Sequence, residues 1–337
     1  MNREFYFDNA KLFLIFLVVF GHSIQPLIGD SKIIEVLYYW IYFFHMPAFV
    51  FLSGFFAKGF GTKNYIVKLA KKLLYPYLIF QLFYTIYYYA IGMNNWQTTV
   101  YEPQWALWFL LSLFCWNMLL IVFKKLPAIL GVIIATEIAI IIGYIDSIGH
   151  IFSLSRTFVF FPFFLIGYFL TKEHVLLVKS KIVKITSLIV LPLVGLCLAI
   201  TPNFSVYWLL GSQSYEAMGA PLLGGLFRFG VYLVALLMAV CVMAWIPRKQ
   251  TIVTNIGQKT LYIYLLHGLF IQYFREAELF NGNSLIDAIS LVFVSIAIIL
   301  VLSNKLVISS FQLLIEGRVT ILKSILGRRI RKHNYDY

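Results

Sequence analysis

Charged residues and cysteine are both scarce in this sequence. Asp, Glu, Lys and Arg make up 12% of the 337 residues, whereas an ordinary soluble domain carries about 25%. The three cysteines, Cys115, Cys197 and Cys241, lie inside apolar runs without CxxC spacing, which predicts packing residues rather than disulfides or zinc ligands. A mean hydropathy of +0.86 indicates that water is not the main solvent of the chain.

Short hydrophobic runs bounded by turns, which the buried strands of a soluble α/β enzyme require, are also missing. The apolar runs extend instead for about 20 residues, the length at which a helix crosses a bilayer core. They predict an all-α polytopic membrane protein of about ten transmembrane helices. The predicted spans are residues 11–28, 33–57, 73–91, 105–123, 127–145, 157–171, 182–201, 226–246, 259–274 and 285–303. No small-residue cleavage pattern follows the first span, so we expect a retained helix rather than a signal peptide.

The basic residues explain the net charge of +13. When the linkers are assigned alternately to two sides, 23 of the 27 basic residues fall on one side. The other side holds Lys32, Arg156, Arg228 and Arg275. The positive-inside rule then predicts cytoplasmic N and C termini, with a membrane domain at 1–310 and a basic cytoplasmic tail at 311–337. Membrane insertion and contact with anionic lipids explain the charge, so we expect no nucleic acid partner. The expected location is a cell membrane, namely the bacterial cytoplasmic membrane.

Three histidines lie inside predicted spans at similar, mid-membrane depth. They are His22 in the first span, His45 in the second and His267 in the ninth. A single buried histidine is usually a packing residue, but the shared depth favours a function, because neutral imidazole can take and return a proton. No HExxH pair or G-x-S-x-G elbow is present, so we expect neither a metal site nor a serine nucleophile. Asp8 can pair with Lys11, but it lies about 21 Å from His22 along a continuous helix.

Further candidates lie where the predicted spans meet the two membrane surfaces. Lys68, Lys71 and Lys72 precede the third span, either as a plain positive-inside cluster or as a cradle for a phosphorylated donor. Arg156 and Arg228 lie on the predicted outer side, where basic residues are rare, and this favours a role in binding an acceptor. Trp108 belongs to a group of aromatic residues near that side, which either border the membrane interface or stack on sugar rings.

Five short motifs follow one another along the chain in a characteristic order. REFYFDNAK at 3–11, VVFGH at 18–22, FHMPAFVFLSG at 44–54, LWFL at 107–110 and IGQKTLYIYLLH at 256–267 together resemble acyltransferase family 3 membrane proteins, particularly the fucose 4-O-acetylase-related subgroup. The resemblance implies ten helices, a cytoplasmic acyl-CoA donor and a hydroxyl acceptor, often a glycan. It also implies that His22 is the histidine most tied to catalysis, with His45 in the second-helix signature and a basic donor patch before the third helix.

The resemblance leads to an O-acetyltransferase hypothesis with acetyl-CoA as donor and a carbohydrate as acceptor. The predicted catalytic residues are Asp8, His22, His45 and His267. The predicted donor-binding residues are Lys11, Lys68, Lys71 and Lys72, although many relatives carry arginine where this chain has lysine. The predicted acceptor-binding residues are Trp108, Arg156 and Arg228. Some relatives carry a hydrolase-like extracytoplasmic domain, which we do not expect here, so the membrane part, or a separate extracytoplasmic partner, would have to complete the transfer.

Two other functions fit the same buried residues. In a transporter or flippase of a lipid-linked sugar, the histidines would carry protons and the arginines would contact the substrate. The sequence lacks the paired, Gly/Pro-broken half-helices that such transporters often have. A polymer-export or assembly subunit would keep the histidines without using them. Consumption of acetyl-CoA separates the transferase from the transporter.

Overall fold

The computed structural model describes residues 4–29, 31–59, 64–93, 101–148, 151–201, 204–279 and 285–317. These residues form thirteen α-helices, joined by turns and short 3-10 segments, and no strand. The helices are α1 (Phe5–Ile24), α2 (Lys32–Phe55), α3 (Tyr65–Ala90), α4 (Trp108–Phe123), α5 (Ala128–Ile142), α6 (Leu154–Phe169), α7 (Lys172–Leu177), α8 (Lys181–Ile200), α9 (Tyr207–Leu210), α10 (Gly224–Met243), α11 (Thr260–Glu276), α12 (Leu285–Leu302) and α13 (Lys305–Glu316). The all-α prediction is confirmed.

Each predicted span coincides with one of these helices. Five helical segments are long and apolar enough to cross a membrane, and a sixth qualifies if α12 and α13, which are bent by 69°, count as one broken span. The apolar helices therefore have the make-up of a multi-pass membrane protein. Ten crossings and the side of each terminus remain predictions. Helix α13 begins before residue 311 and continues to Glu316, so the predicted tail starts as a helix, and residues 318–337 lie outside the described part of the chain.

Helices α2 and α6 approach at backbone distance because glycines face each other's chain. A Cβ atom at Gly54 would collide with the carbonyl group of Phe164, and one at Gly167 would collide with the carbonyl group of Phe51. The contact is reciprocal, because Gly54 lies three residues after Phe51 and Gly167 lies three residues after Phe164. Glycine is therefore required at both positions for this helix pair.

The start of α1 is bonded to the connection between α10 and α11. Asn9 Nδ2 donates to the carbonyls of Pro247 at 2.9 Å and Lys249 at 3.0 Å, and Thr254 Oγ1 donates to Asn9 Oδ1 at 2.7 Å. Gly257 packs against the Asp8 backbone, where a side chain would not fit. These contacts fix where α11 begins relative to α1, and so which residues of the two helices meet further along.

Candidate active site

The centre of the candidate site is a stacked pair of imidazoles, His22 of α1 and His267 of α11. Their ring centroids lie 5.6 Å apart with 28° between the planes. Trp105 packs on both rings, at 4.5 Å from His22 and 5.1 Å from His267. His22 is partly exposed, whereas His267 is fully buried. Two of the three predicted histidines therefore come together from separate helices.

The hydrogen bonds of His267 assign its two nitrogens. Nδ1 lies 2.6 Å from the carbonyl oxygen of Tyr264 and 3.2 Å from that of Ile263. Because carbonyl oxygens only accept, Nδ1 carries the proton of the neutral ring, and Nε2 is left as an acceptor. Nε2 is buried and has no hydrogen-bond partner. An unpaired buried acceptor is costly, so this lone pair is available to a proton or donor brought by a ligand.

Tyr42 of α2 links the other two histidines. Its hydroxyl lies 3.1 Å from His22 Nδ1, and its ring lies 4.5 Å from the ring of His45. His45 Nδ1 donates to the carbonyl of Ile41 at 2.9 Å. Gly21 makes room for this arrangement, because a Cβ atom there would come within 2.9 Å of the Tyr42 ring. His45 thus lies behind Tyr42 and does not join the stacked pair.

His22 opens into a cavity of about 360 Å³, which we call the histidine cavity, and its polar lining consists of His22, Ser23, Gln25, Arg275 and Glu278. Arg275 Nη2 donates to the carbonyl of His22 at 2.9 Å and to Gln25 Oε1 at 2.7 Å. Its guanidinium lies 5.5 Å from the centroid of Trp105. Sequence reasoning missed Arg275 as a site residue, although it belongs to the same small group of outer-side cations as Arg156 and Arg228.

A second cavity, of about 520 Å³, lies at the opposite end of α1, and we call it the lysine cavity. Its lining includes Asp8, Lys11 and Lys72 at one end and Phe109 and Tyr264 further along. Lys11 Nζ lies 3.8 Å from the Asp8 carboxylate, so the expected pair is present. Asp8 therefore belongs to this cavity and is not brought to the histidines, because α1 is continuous between Asp8 and His22. Lys68 and Lys71 are exposed and do not line the cavity.

His267 packs against rings that line both cavities. Tyr264 lines the lysine cavity, and its ring lies 6.2 Å from His267 and 5.7 Å from Phe109. His22, which lines the histidine cavity, and Trp105 also pack on His267. A short series of rings therefore separates the two cavities, and the free Nε2 of His267 is buried within that series.

The structure separates the predicted acceptor residues. The Arg156 guanidinium lies 5.1 Å from the ring centroid of Trp108 and close enough to Tyr42 and Tyr264 for electrostatic interaction. Arg228 is only 2% exposed, donates to the carbonyl of Trp208 at 2.5 Å and packs over the Trp208 ring. None of Arg156, Arg228 and Trp108 lines the histidine cavity or the lysine cavity.

Together, the apolar helix bundle and the two cavities beside the imidazole pair have the make-up of a multi-pass membrane protein with a buried polar site. The model of the acyltransferase domain family matches residues 4–304. The chain therefore belongs to this family, as the sequence motifs predicted. All the predicted site residues, as well as Arg275, lie inside the matched range.

Two curated relatives align with part of the chain. The nodulation protein NolL of Sinorhizobium fredii is 28% identical over 183 residues, which cover 50% of this chain and 48% of that protein. The nodulation protein NolL of Mesorhizobium japonicum is 43% identical over 61 residues, which cover 17% of this chain and 16% of that protein. The chain thus aligns with about half of the first relative and a smaller part of the second. No solved structure matches the chain.

Proposed function

We propose that this protein transfers an acetyl group from acetyl-CoA to a hydroxyl of a cell-surface or lipid-linked carbohydrate. It works in the cell membrane, with about ten spans and both termini in the cytoplasm. The observation that carries the proposal is the buried, unpartnered Nε2 of His267, stacked beside the cavity-facing ring of His22. Family membership supports the acyl-transfer chemistry.

The lysine cavity is the proposed donor site. Lys11 and Lys72 place two ammonium groups on its lining, and ammonium groups act as point charges for phosphates such as those of coenzyme A. Lys68 and Lys71 lie on the exposed surface of α3 near the mouth and add to the positive potential there. Asp8 holds Lys11 in place through their ion pair. The donor, when bound, supplies the activated acyl group as a thioester.

The histidine cavity is the proposed acceptor site. Acyl transfer requires a base for the acceptor hydroxyl and hydrogen-bond donors or cations for the charge that develops on the acyl oxygen. We assign the base to His22, whose ring is oriented by the Tyr42 hydroxyl, and Tyr42 in turn packs on His45. His267 Nε2 provides a second proton acceptor beside it. Arg156, held over Trp108, adds positive potential next to Tyr42, whereas Arg228 stabilises the contact between α9 and α10.

A labelling experiment tests this proposal. Purified protein receives acetyl-CoA labelled in the acetyl group and an extract of cell-surface glycans, and label in the glycan is measured together with free coenzyme A. We expect transfer in the wild type and a fall of about 100-fold or more in His22→Gln, since a general base contributes about 10²–10⁴ to a rate. His174→Gln is the matched control, because His174 caps the short helix α7 away from the site.

Two results would contradict the assignment. An unchanged rate in His22→Gln would remove His22 from the mechanism. An intact thioester, together with movement of a lipid-linked sugar across the membrane, would favour the transporter or flippase instead.

A further inference from the structure

Arg275 is a partly buried cation that lacks an anionic partner among the described residues. Its Nη2 bonds two neutral acceptors, the His22 carbonyl and Gln25 Oε1, and its Nε is buried without a partner. No carboxylate of the described residues forms an ion pair with it within 4.0 Å. Buried or half-buried charges are usually paired, so this guanidinium is a site where a ligand can supply the missing charge.

Two other charged residues bear on this site. Arg156, held over Trp108, also has no ion-pair partner in the described residues, and both guanidiniums interact electrostatically with Tyr42. Glu278 lines the same cavity, but it is exposed and makes no ion pair with Arg275. The histidine cavity therefore carries, next to His22, an arginine whose charge no described carboxylate neutralises.

We propose that the acceptor is an acidic carbohydrate whose carboxylate or phosphate binds Arg275. This rests on the proposed function and names the substrate class of the same site. A guanidinium pairs with an oxyanion through directed, charge-assisted hydrogen bonds. Because Arg275 donates to the backbone of His22 itself, an oxyanion held there places a neighbouring sugar hydroxyl at the His22 ring.

The oxyanion is not consumed in the reaction. The acceptor hydroxyl gives its proton to His22, the new ester C–O bond forms as the thioester C–S bond breaks, and the thiolate takes a proton to leave as free coenzyme A. Arg275 is thus a binding residue for a part of the acceptor that does not react. Its removal is expected to weaken acceptor binding more than the chemical step.

The test uses one glycan extract in three forms with the full-length wild-type protein and labelled acetyl-CoA. One form is untreated, one has its carboxylates converted to methyl esters, and one is dephosphorylated. We expect the untreated extract to be labelled and one neutralised form to lose labelling at least tenfold, which also tells a carboxylate from a phosphate. Equal labelling of all three forms would show active enzyme with a neutral acceptor and would overturn the inference. No labelling of the untreated extract, together with no coenzyme A release, would overturn the proposed function as well.

Arg275→Gln then tests the residue itself. We expect it to lower the labelling of the untreated extract to that of the charge-neutralised form, through a higher acceptor KM, with the KM for acetyl-CoA unchanged. Arg275→Lys should restore part of the loss. Lys32→Gln is the matched control, because Lys32 is another cation of the predicted outer side that pairs with Glu35 and does not line the histidine cavity, so it should leave acidic-acceptor labelling unchanged. If Arg275→Gln lowered the labelling of acidic and neutralised acceptors by one common factor, Arg275 would only position His22, and the inference would be wrong.

Discussion

The hydrogen bond between Tyr42 and His22 is the residue-scale feature that most affects the proposed chemistry. A base must keep one ring nitrogen directed at its substrate, and an imidazole bonded at Nδ1 has its Nε2 direction fixed. Tyr42 is buried at 4% exposure and contacts both His22 and His45, so its hydroxyl is held firmly. Nothing in the sequence distinguished Tyr42 from the other tyrosines of α2, Tyr38 and Tyr39.

Tyr42→Phe is therefore expected to lower the acetyl-transfer kcat by about 5- to 30-fold, the effect of losing one hydrogen bond of roughly 1–2 kcal/mol. The KM for acetyl-CoA should not change, because Tyr42 does not line the lysine cavity. Steady-state kinetics on purified protein measure both constants. Tyr88→Phe is the control, since the Tyr88 ring packs on Tyr84 and Tyr87 rather than on a histidine. Equal kcat values for the two variants would show that the Tyr42 hydroxyl does not orient His22.

At the scale of elements, α2 and α6 are held at backbone contact by Gly54 and Gly167. The neighbouring residue, Ser53, lines the lysine cavity instead and donates to the carbonyl of Phe49. Since α2 carries both Tyr42 and His45, this contact also sets their position in the bundle.

Gly54→Ala is expected to destabilise the protein by about 1–3 kcal/mol, the usual cost of forcing extra atoms into a tight contact. Thermal unfolding of the detergent-purified protein should show a lower midpoint. Gly230→Ala is the matched control, because Gly230 lies in α10 and an added Cβ meets nothing within 4 Å, so the better helix propensity of alanine should keep or raise the midpoint. A midpoint for Gly54→Ala as high as that of the control would mean that α2 and α6 can separate at no cost.

Helix α13 shows how an element can escape a search for long apolar runs. It is 12 residues long and amphipathic, and it follows α12 after a sharp bend. Its Glu316 accepts a hydrogen bond from Tyr262 at 2.7 Å, and Tyr75 of α3 donates to the carbonyl of Leu313 at 3.1 Å. Through these contacts the segment assigned to the tail helps to enclose the lysine cavity, which is lined by Glu316.

For the whole molecule, the important feature is two cavities that are separated by the rings packed around one pair of histidines. The lysine cavity lies at the start of α1 and the histidine cavity at its end. In the proposed reaction, the donor and the acceptor would approach from opposite ends of the bundle through separate entrances. This arrangement suits a reaction between a cytoplasmic thioester and an alcohol outside, which is the orientation that the distribution of basic residues predicts.

Lys72 and Lys68 provide a test of the donor end, because they are one helical turn apart on α3 and only Lys72 lines the lysine cavity. Lys72→Ala is expected to raise the KM for acetyl-CoA by about 5-fold through the loss of a phosphate contact. Lys68→Ala should change it less than about 2-fold, as expected for a distant exposed charge. The acceptor KM should stay constant in both variants. Equal effects of the two substitutions would indicate that the lysines before the third predicted span serve only to orient the protein in the membrane.

The sequence alone determined the helix content and the position of most helices. These properties depend on composition, on run length and on a constant rise of about 1.5 Å per residue, all of which are local. It also identified the family, because the motifs of α1, α2, α4 and α11 are short and continuous.

Only the tertiary structure decided which side chains meet. The direction in which a side chain leaves its helix relative to a neighbouring helix depends on packing between segments far apart in sequence. For this reason the sequence could not predict that His267 stacks on His22 while His45 lies behind Tyr42, or that Arg228 bonds within the protein while Arg275 faces the cavity. The contacts of Asn9 with Pro247 and Lys249, and of Gly54 with the α6 backbone, join distant segments and set these directions.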